Sequence, residues 1–202
     1  MLNRFRAFFT KLISPIARLL LRCGVSPDAV TVVGTVGVCA GALTFFPRGE
    51  LLVGVLVVTA FVLSDLVDGH MARLSGRSSA WGAFLDSTLD RLGDAAIFGG
   101  LVLYFVGPGG SDLLAGVALY CLVMGSVTSY ARARAESLGM EGKGGIAERA
   151  DRLVAILAMT GLSDIFDVPV LIPITLWVLS AASTVTVAQR ILSVRRQATA
   201  AL

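Results

Sequence analysis

The chain has 202 residues, 55% of them hydrophobic and only 15% charged, with a formal net charge of +3. A mean hydropathy of +0.81 excludes an ordinary soluble domain, in which about a quarter of the residues carry charge. The apolar residues come in long blocks between short charged stretches. A bilayer crossing needs about 20 mostly apolar residues, so residues 1–202 are predicted to form one membrane domain with no soluble one.

In chain order, residues 2–23 are read as an amphipathic helix lying in the headgroup layer. Leu2, Phe5, Phe9, Leu12, Ile16, Leu19 and Cys23 share one helical face, and Arg4, Lys11, Arg18 and Arg22 share the opposite one. Ser14-Pro15 is a point where it can split. No signal-peptide pattern is present. Six crossings are predicted within 28–190, at about 28–47, 51–74, 80–106, 112–136, 147–163 and 169–190. Of the 17 Lys and Arg, only Arg48 falls on the far side of this arrangement. The positive-inside bias then places both termini in the cytoplasm of a multi-pass cell-membrane protein.

Cys23, Cys39 and Cys121 are isolated in sequence and read as packing residues. His70 is the single histidine, so carboxylates must supply most ligands of any metal. Asp65 and Asp68 are three apart near the end of the second crossing. Asp86 and Asp90 are four apart near the start of the third. Each spacing places its pair on one helical face, and intramembrane carboxylates mark function. The short turn around Ser75-Gly76-Arg77-Ser78-Ser79 makes the helices antiparallel neighbours, so the four carboxylates can converge. Oxygen ligands favour magnesium or manganese, and two ions can be accommodated. Gly69 and Gly82 leave room for a phosphate beside the helix backbone, and Arg73 is placed to meet a carboxylate or a phosphate oxygen.

The stretch Asp65-x2-Asp68-Gly69-x2-Ala72-Arg73-x8-Gly82-x3-Asp86-x3-Asp90 resembles the signature of the CDP-alcohol phosphotransferase family. The resemblance implies an all-α membrane enzyme in which the four aspartates bind two divalent ions. These ions hold the diphosphate of a CDP-linked donor, with Gly69, Ala72, Arg73 and Gly82 around it. Asp90 doubles as general base on the acceptor hydroxyl. Ser26-Pro27-Asp28-x2-Thr31 opens the first crossing where the family often has Pro-Asn-x2-Thr. Asp28 and Thr31 are assigned to the donor site on that basis, and a plain helix start explains the same residues.

Ser129-Tyr130-Ala131-Arg132-Ala133-Arg134-Ala135-Glu136, Glu148-Arg149-x2-Arg152 and Gln189-Arg190 lie on the predicted cytoplasmic side. Arg132, Arg152 and Arg190 can form a cationic pocket for a phosphorylated alcohol; snorkelling anchors are the other reading. These stretches are similar to those of actinobacterial phosphatidylinositol phosphate synthases. That resemblance implies CDP-diacylglycerol as donor and inositol 1-phosphate as acceptor, held by Ser129, Arg132, Arg134, Arg152 and Arg190. It also implies a homodimer, with no nucleic acid as partner. Phosphatidylglycerophosphate synthase is the runner-up. An ion-coupled transporter is the non-enzyme alternative, although transporters place such carboxylates nearer the midplane. Asp94, on the same face as Asp86 and Asp90 but one turn deeper, is read as a packing or hydrogen-bonding residue, with a further polar neighbour of the site as the other reading. Gly37-x3-Gly41 and Gly99-Gly100 are read as sites of close helix packing.

Overall fold

The structure, a computed structural model, describes residues 14–76 and 79–200, with the Asp65 side chain left aside. Most of the expected interfacial helix lies outside the described residues. Its end, α1, runs over 14–22, and the Ser14 hydroxyl meets His70 Nε2 at 2.9 Å. Every regular element among the described residues is helical. These are α2 (Pro27–Phe45), a short 3₁₀ turn (Phe46–Arg48), α3 (Leu51–Val62), α4 (Ser64–Leu74), α5 (Ala80–Val106), α6 (Asp112–Ser137), α7 (Arg149–Ile165) and α8 (Leu171–Ala200).

Helices α2, α5, α6, α8, α7 and α3 pack in a closed circuit, each against the next, and α4 packs on α2. Phe46, Val58, Ile97, Leu101, Ala118, Ile156 and Leu176 fill the interior, while Val33, Val36, Leu56, Val154 and Val178 point outward. Outward-facing apolar side chains of this kind suit lipid as solvent. Association between such helices then depends on close packing and hydrogen bonds. Gly100 illustrates the packing. A Cβ there would lie 2.7 Å from the Ala42 carbonyl oxygen, so α5 can meet α2 only with glycine at this point. Gly37 and Gly41 do the same against Phe61 and Val57, whereas Gly99 faces open space and takes no part.

Among the described residues, four helical segments are long and apolar enough to cross a bilayer: Pro27–Arg48, Leu51–Leu74, Asp112–Ser137 and Leu171–Ala200. The remaining two expected crossings differ for physical reasons. α5 has 27 residues, but Asp86, Asp90, Arg91 and Asp94 fall between its first turn and its middle. α7 has 17 residues, which at 1.5 Å per residue is about 25 Å against a hydrocarbon core of about 30 Å.

The expected crossing at 51–74 is not one uninterrupted helix. It breaks at Leu63, between α3 and α4. The Ser64 hydroxyl donates to the Phe61 carbonyl at 2.6 Å, competing with the helix ladder for that acceptor. The final helix continues to Ala200, beyond the expected limit of the sixth crossing.

Candidate active site

Three helices bring polar residues to one place. α2 starts at Ser26, whose hydroxyl accepts from the Ala29 N–H at 3.2 Å, with Pro27 in the first turn. This cap sets Asp28 and Thr31 near the start of the helix. α4 carries Asp65, Asp68, Gly69, Ala72 and Arg73. α5 starts at Ser79, whose hydroxyl accepts from the Gly82 N–H at 3.0 Å, and then presents Gly82, Asp86 and Asp90.

A cavity of about 310 Å³ lies between these helix ends. Pro27, Asp28 and Thr31 line it from α2; Asp68, Gly69, Ala72 and Arg73 from α4; Gly82, Ala83 and Asp86 from α5, with Ser79 at the cap. A Cβ at Gly69 would meet nothing within 4 Å, and one at Gly82 would approach only Ser79 Oγ (3.4 Å) and Asp28 Oδ1 (3.7 Å). Both glycines therefore leave the backbone open to a ligand. Asp68 is buried, with 6% exposure, and accepts a hydrogen bond from the Thr31 hydroxyl at 2.6 Å. The Pro27 carbonyl is 3.2 Å from the same hydroxyl. With one proton to give, Thr31 favours the shorter, charge-assisted bond.

Asp68 of α4 and Asp86 of α5 thus face one cavity. Asp90, one turn beyond Asp86, is within electrostatic reach of Asp68, as is Asp86. Hard oxygen donors without nitrogen or sulfur ligands among them suit magnesium or manganese. Among the described residues no three metal-type side chains close into one cluster, and the Asp65 side chain is not among them. Asp90 is drawn toward Arg149, whose Nη1 is 2.8 Å from Asp90 Oδ1.

The arginines of α6, α7 and α8 separate into two groups. Arg152 and Arg190 are buried, at 2% and 4% exposure. Arg152 donates to the Ala147 carbonyl at 3.3 Å and its Nη2 is 3.9 Å from Asp94 Oδ2. Arg190 donates to the Thr128 carbonyl at 2.6 Å and to the Gly144 carbonyl at 2.9 Å, and is 3.8 Å from Glu148. It also lines a second cavity of about 340 Å³ with Lys143, Gly144, Gly145 and Gln189. Arg132, by contrast, is partly exposed and pairs along its own helix with Glu136 at 3.0 Å. Arg134 is exposed and reaches Ser137 at 3.4 Å. Ser129 accepts a hydrogen bond from Arg91.

Residues outside the expected set stand between these groups. Arg149 joins Asp90 to Asp94, with its Nε 3.0 Å from Asp94 Oδ1. Arg91 lies 3.7 Å from Asp90 and 3.6 Å from Asp94. Asp94 is therefore a hydrogen-bonded, ion-paired residue, which agrees with the hydrogen-bonding half of its expected role and not with packing alone. Its register, one turn beyond Asp90, was the available signal, and Arg149 stands within the Glu148-Arg149-x2-Arg152 stretch.

The model of the CDP-alcohol phosphatidyltransferase family matches residues 24–180. The chain belongs to this family. It is therefore an enzyme, and the cavity between α2, α4 and α5 is its candidate active site. The phosphatidylinositol phosphate synthase of Streptomyces avermitilis is 53% identical over 98% of this chain and 84% of its own. That of Cutibacterium acnes is 52% identical over 97% and 98%. A crystal structure of the Mycobacterium tuberculosis phosphatidylinositol phosphate synthase with CDP-DAG bound superposes with a TM-score of 0.88. The two are 44% identical, over 91% of this chain and 94% of that one. The same enzyme in complex with manganese and citrate gives 0.86 at 44% identity, over 90% and 88%.

Proposed function

We propose that this enzyme transfers the phosphatidyl group of CDP-diacylglycerol to inositol 1-phosphate, giving phosphatidylinositol phosphate and CMP. The observation that carries the acceptor assignment is the buried pair Arg152 and Arg190, of which Arg152 is tied through Asp94 and Arg149 to Asp90. Burying a guanidinium is costly, and two buried ones, with Arg190 lining a cavity of its own, suit a phosphorylated acceptor. Close identity to phosphatidylinositol phosphate synthases over nearly the whole chain supports the same reading.

In this proposal Asp65, Asp68, Asp86 and Asp90 hold two divalent ions, magnesium or manganese. Bound there, the ions neutralise charge growing on the transferred phosphate and on CMP. Asp28, Thr31, Gly69, Ala72, Arg73 and Gly82 surround the donor. Ser129, Arg132, Arg134, Arg152 and Arg190 receive the acceptor phosphate. The acceptor hydroxyl attacks the diacylglycerol-linked phosphorus, and the bond to the bridging oxygen breaks. CMP leaves with that oxygen, and the hydroxyl proton passes to Asp90. One displacement is the simplest scheme. The same proposal includes a single domain with six crossings, cytoplasmic termini and active site, and a homodimer.

The test offers purified protein CDP-diacylglycerol, a divalent cation and one of three acceptors: inositol 1-phosphate, free inositol or glycerol 3-phosphate. CMP release is measured and the lipid formed is identified by mass. Phosphatidylinositol phosphate is the expected product. A glycerol 3-phosphate product alone would shift the assignment to phosphatidylglycerophosphate synthase. Absence of CMP release with every acceptor would defeat the phosphatidyl-transfer reading.

A further inference from the structure

Asp94 is 5% exposed, and both of its carboxylate oxygens are engaged by guanidiniums from two helices. Oδ1 takes Arg149 Nε at 3.0 Å. Oδ2 has Arg91 Nη1 at 3.6 Å and Arg152 Nη2 at 3.9 Å. Each of these arginines also reaches outward. Arg149 touches Asp90, and Arg91 donates to Ser129. Arg152 fills the space over Gly125, where a Cβ would lie 3.0 Å from its Nη2. One buried carboxylate thus contacts the partner of the proposed base, the partner of an acceptor-site serine and an acceptor-site arginine.

Charge makes the arrangement directional. Three guanidiniums meet two carboxylates, Asp90 and Asp94. Within this set one positive charge is left over; Arg152 is buried while Arg91 and Arg149 are partly exposed, and an excess charge at such a boundary favours an anion. Asp94 cannot cancel all three arginines, but it fixes their positions and limits their mutual repulsion. Without it, Arg149 loses its second anchor and its fork is free to commit to Asp90. Arg152 would also lose its carboxylate partner.

We propose that Asp94 is a positioning residue for the acceptor: it holds Arg91, Arg149 and Arg152 so that their spare positive charge faces the acceptor phosphate beside Asp90. This rests on the reading that the acceptor is a phosphorylated alcohol. Asp94 touches neither substrate and acts through the three arginines.

The test is Asp94→Asn, which keeps the shape and removes the charge. The Michaelis constants for inositol 1-phosphate and CDP-diacylglycerol are measured, with inorganic phosphate as a competitor of the acceptor. The acceptor constant and the phosphate inhibition constant are expected to rise about 10- to 100-fold, the usual range for losing a charged contact. The donor constant should stay within about twofold of wild type, by the same contact logic. Asp94→Glu, which restores the charge, should fall between wild type and Asp94→Asn. It serves as the test variant if the asparagine protein does not fold. An unchanged acceptor constant would overturn the proposal. So would an equal rise for donor and acceptor, the mark of a general support of the bundle. Wild-type acceptor choice is read in the same assay. If wild-type enzyme prefers unphosphorylated inositol, the functional reading fails on its own, whatever Asp94→Asn does to the ratio.

Discussion

Replacing Thr31 with valine removes one hydroxyl and preserves side-chain shape. The hydroxyl is 2.6 Å from Asp68 Oδ2, and both residues are buried. In the proposed site Asp68 is a metal ligand, so Thr31 acts on the ion by orienting its ligand. A hydrogen bond to a charged group contributes about 1.5–3 kcal/mol. Loss of an outer partner of a metal ligand typically weakens the metal by about 10- to 100-fold. Thr31→Val should therefore raise the manganese concentration that gives half-maximal CMP release by about this factor. Saturating manganese should restore most of the turnover, because the ligands themselves remain. Thr31→Ser, which keeps the hydroxyl, should titrate close to wild type. A Thr31→Val enzyme whose half-saturating manganese concentration stays within about twofold of wild type would refute the argument, since it lies below the range for such partners.

Gly125→Ala would force Arg152 to give way by a few tenths of an ångström against the 3.0 Å approach. It should raise the acceptor constant severalfold with little change in donor constant, and equal values for mutant and wild type would show that Arg152 has slack. Chelation of divalent ions should abolish CMP release, with activity returning on manganese or magnesium; persistent turnover in chelator would remove the metal-assisted scheme. In a variant with Cys23, Cys39 and Cys121 replaced, an impermeant thiol reagent outside intact cells should label Arg48→Cys and spare Lys143→Cys. The reverse pattern would invert the proposed topology.

Much of the helical arrangement was legible because its signals are local. Long apolar blocks mark α2, α6 and α8, and Ser26 with Pro27 or Ser79 marks where a helix begins. The break at Leu63 was not legible, because it depends on the Ser64 hydroxyl taking the Phe61 carbonyl, a choice hydropathy does not record. The cavity between α2, α4 and α5 was readable for the same local reason. Asp68, Gly69, Ala72, Arg73, Gly82 and Asp86 lie on two helices joined by a short turn, so fixed spacing translates into a shared location. The arginines were harder. Arg132, Arg152 and Arg190 look alike in sequence, each near the end of a helix. Burial separates Arg152 and Arg190 from Arg132, and burial depends on partners such as Thr128, Gly144 and Asp94 that are distant in the chain.

The division between these two halves passes along α5. Asp86 faces the cavity shared with α2 and α4. Arg91 and Asp94 face Ser129 of α6 and the arginines of α7. Successive residues on a helix are about 100° apart, so one helix can form a wall for two different sites within two turns. Asp90 lies between them, electrostatically coupled to Asp68 on one side and paired with Arg149 on the other. A single displacement requires the attacking hydroxyl and the phosphorus to meet within about 3–3.5 Å. The base that receives the hydroxyl proton must therefore stand where donor and acceptor sites adjoin. In the proposed site Asp90 is the carboxylate at that boundary. Arg149 Nη1 occupies Asp90 Oδ1 at 2.8 Å, so in the proposed scheme that contact loosens as the acceptor phosphate arrives to compete for the guanidiniums. In this scheme the anion that identifies the acceptor also frees the base, which links recognition of the phosphate to the proton transfer.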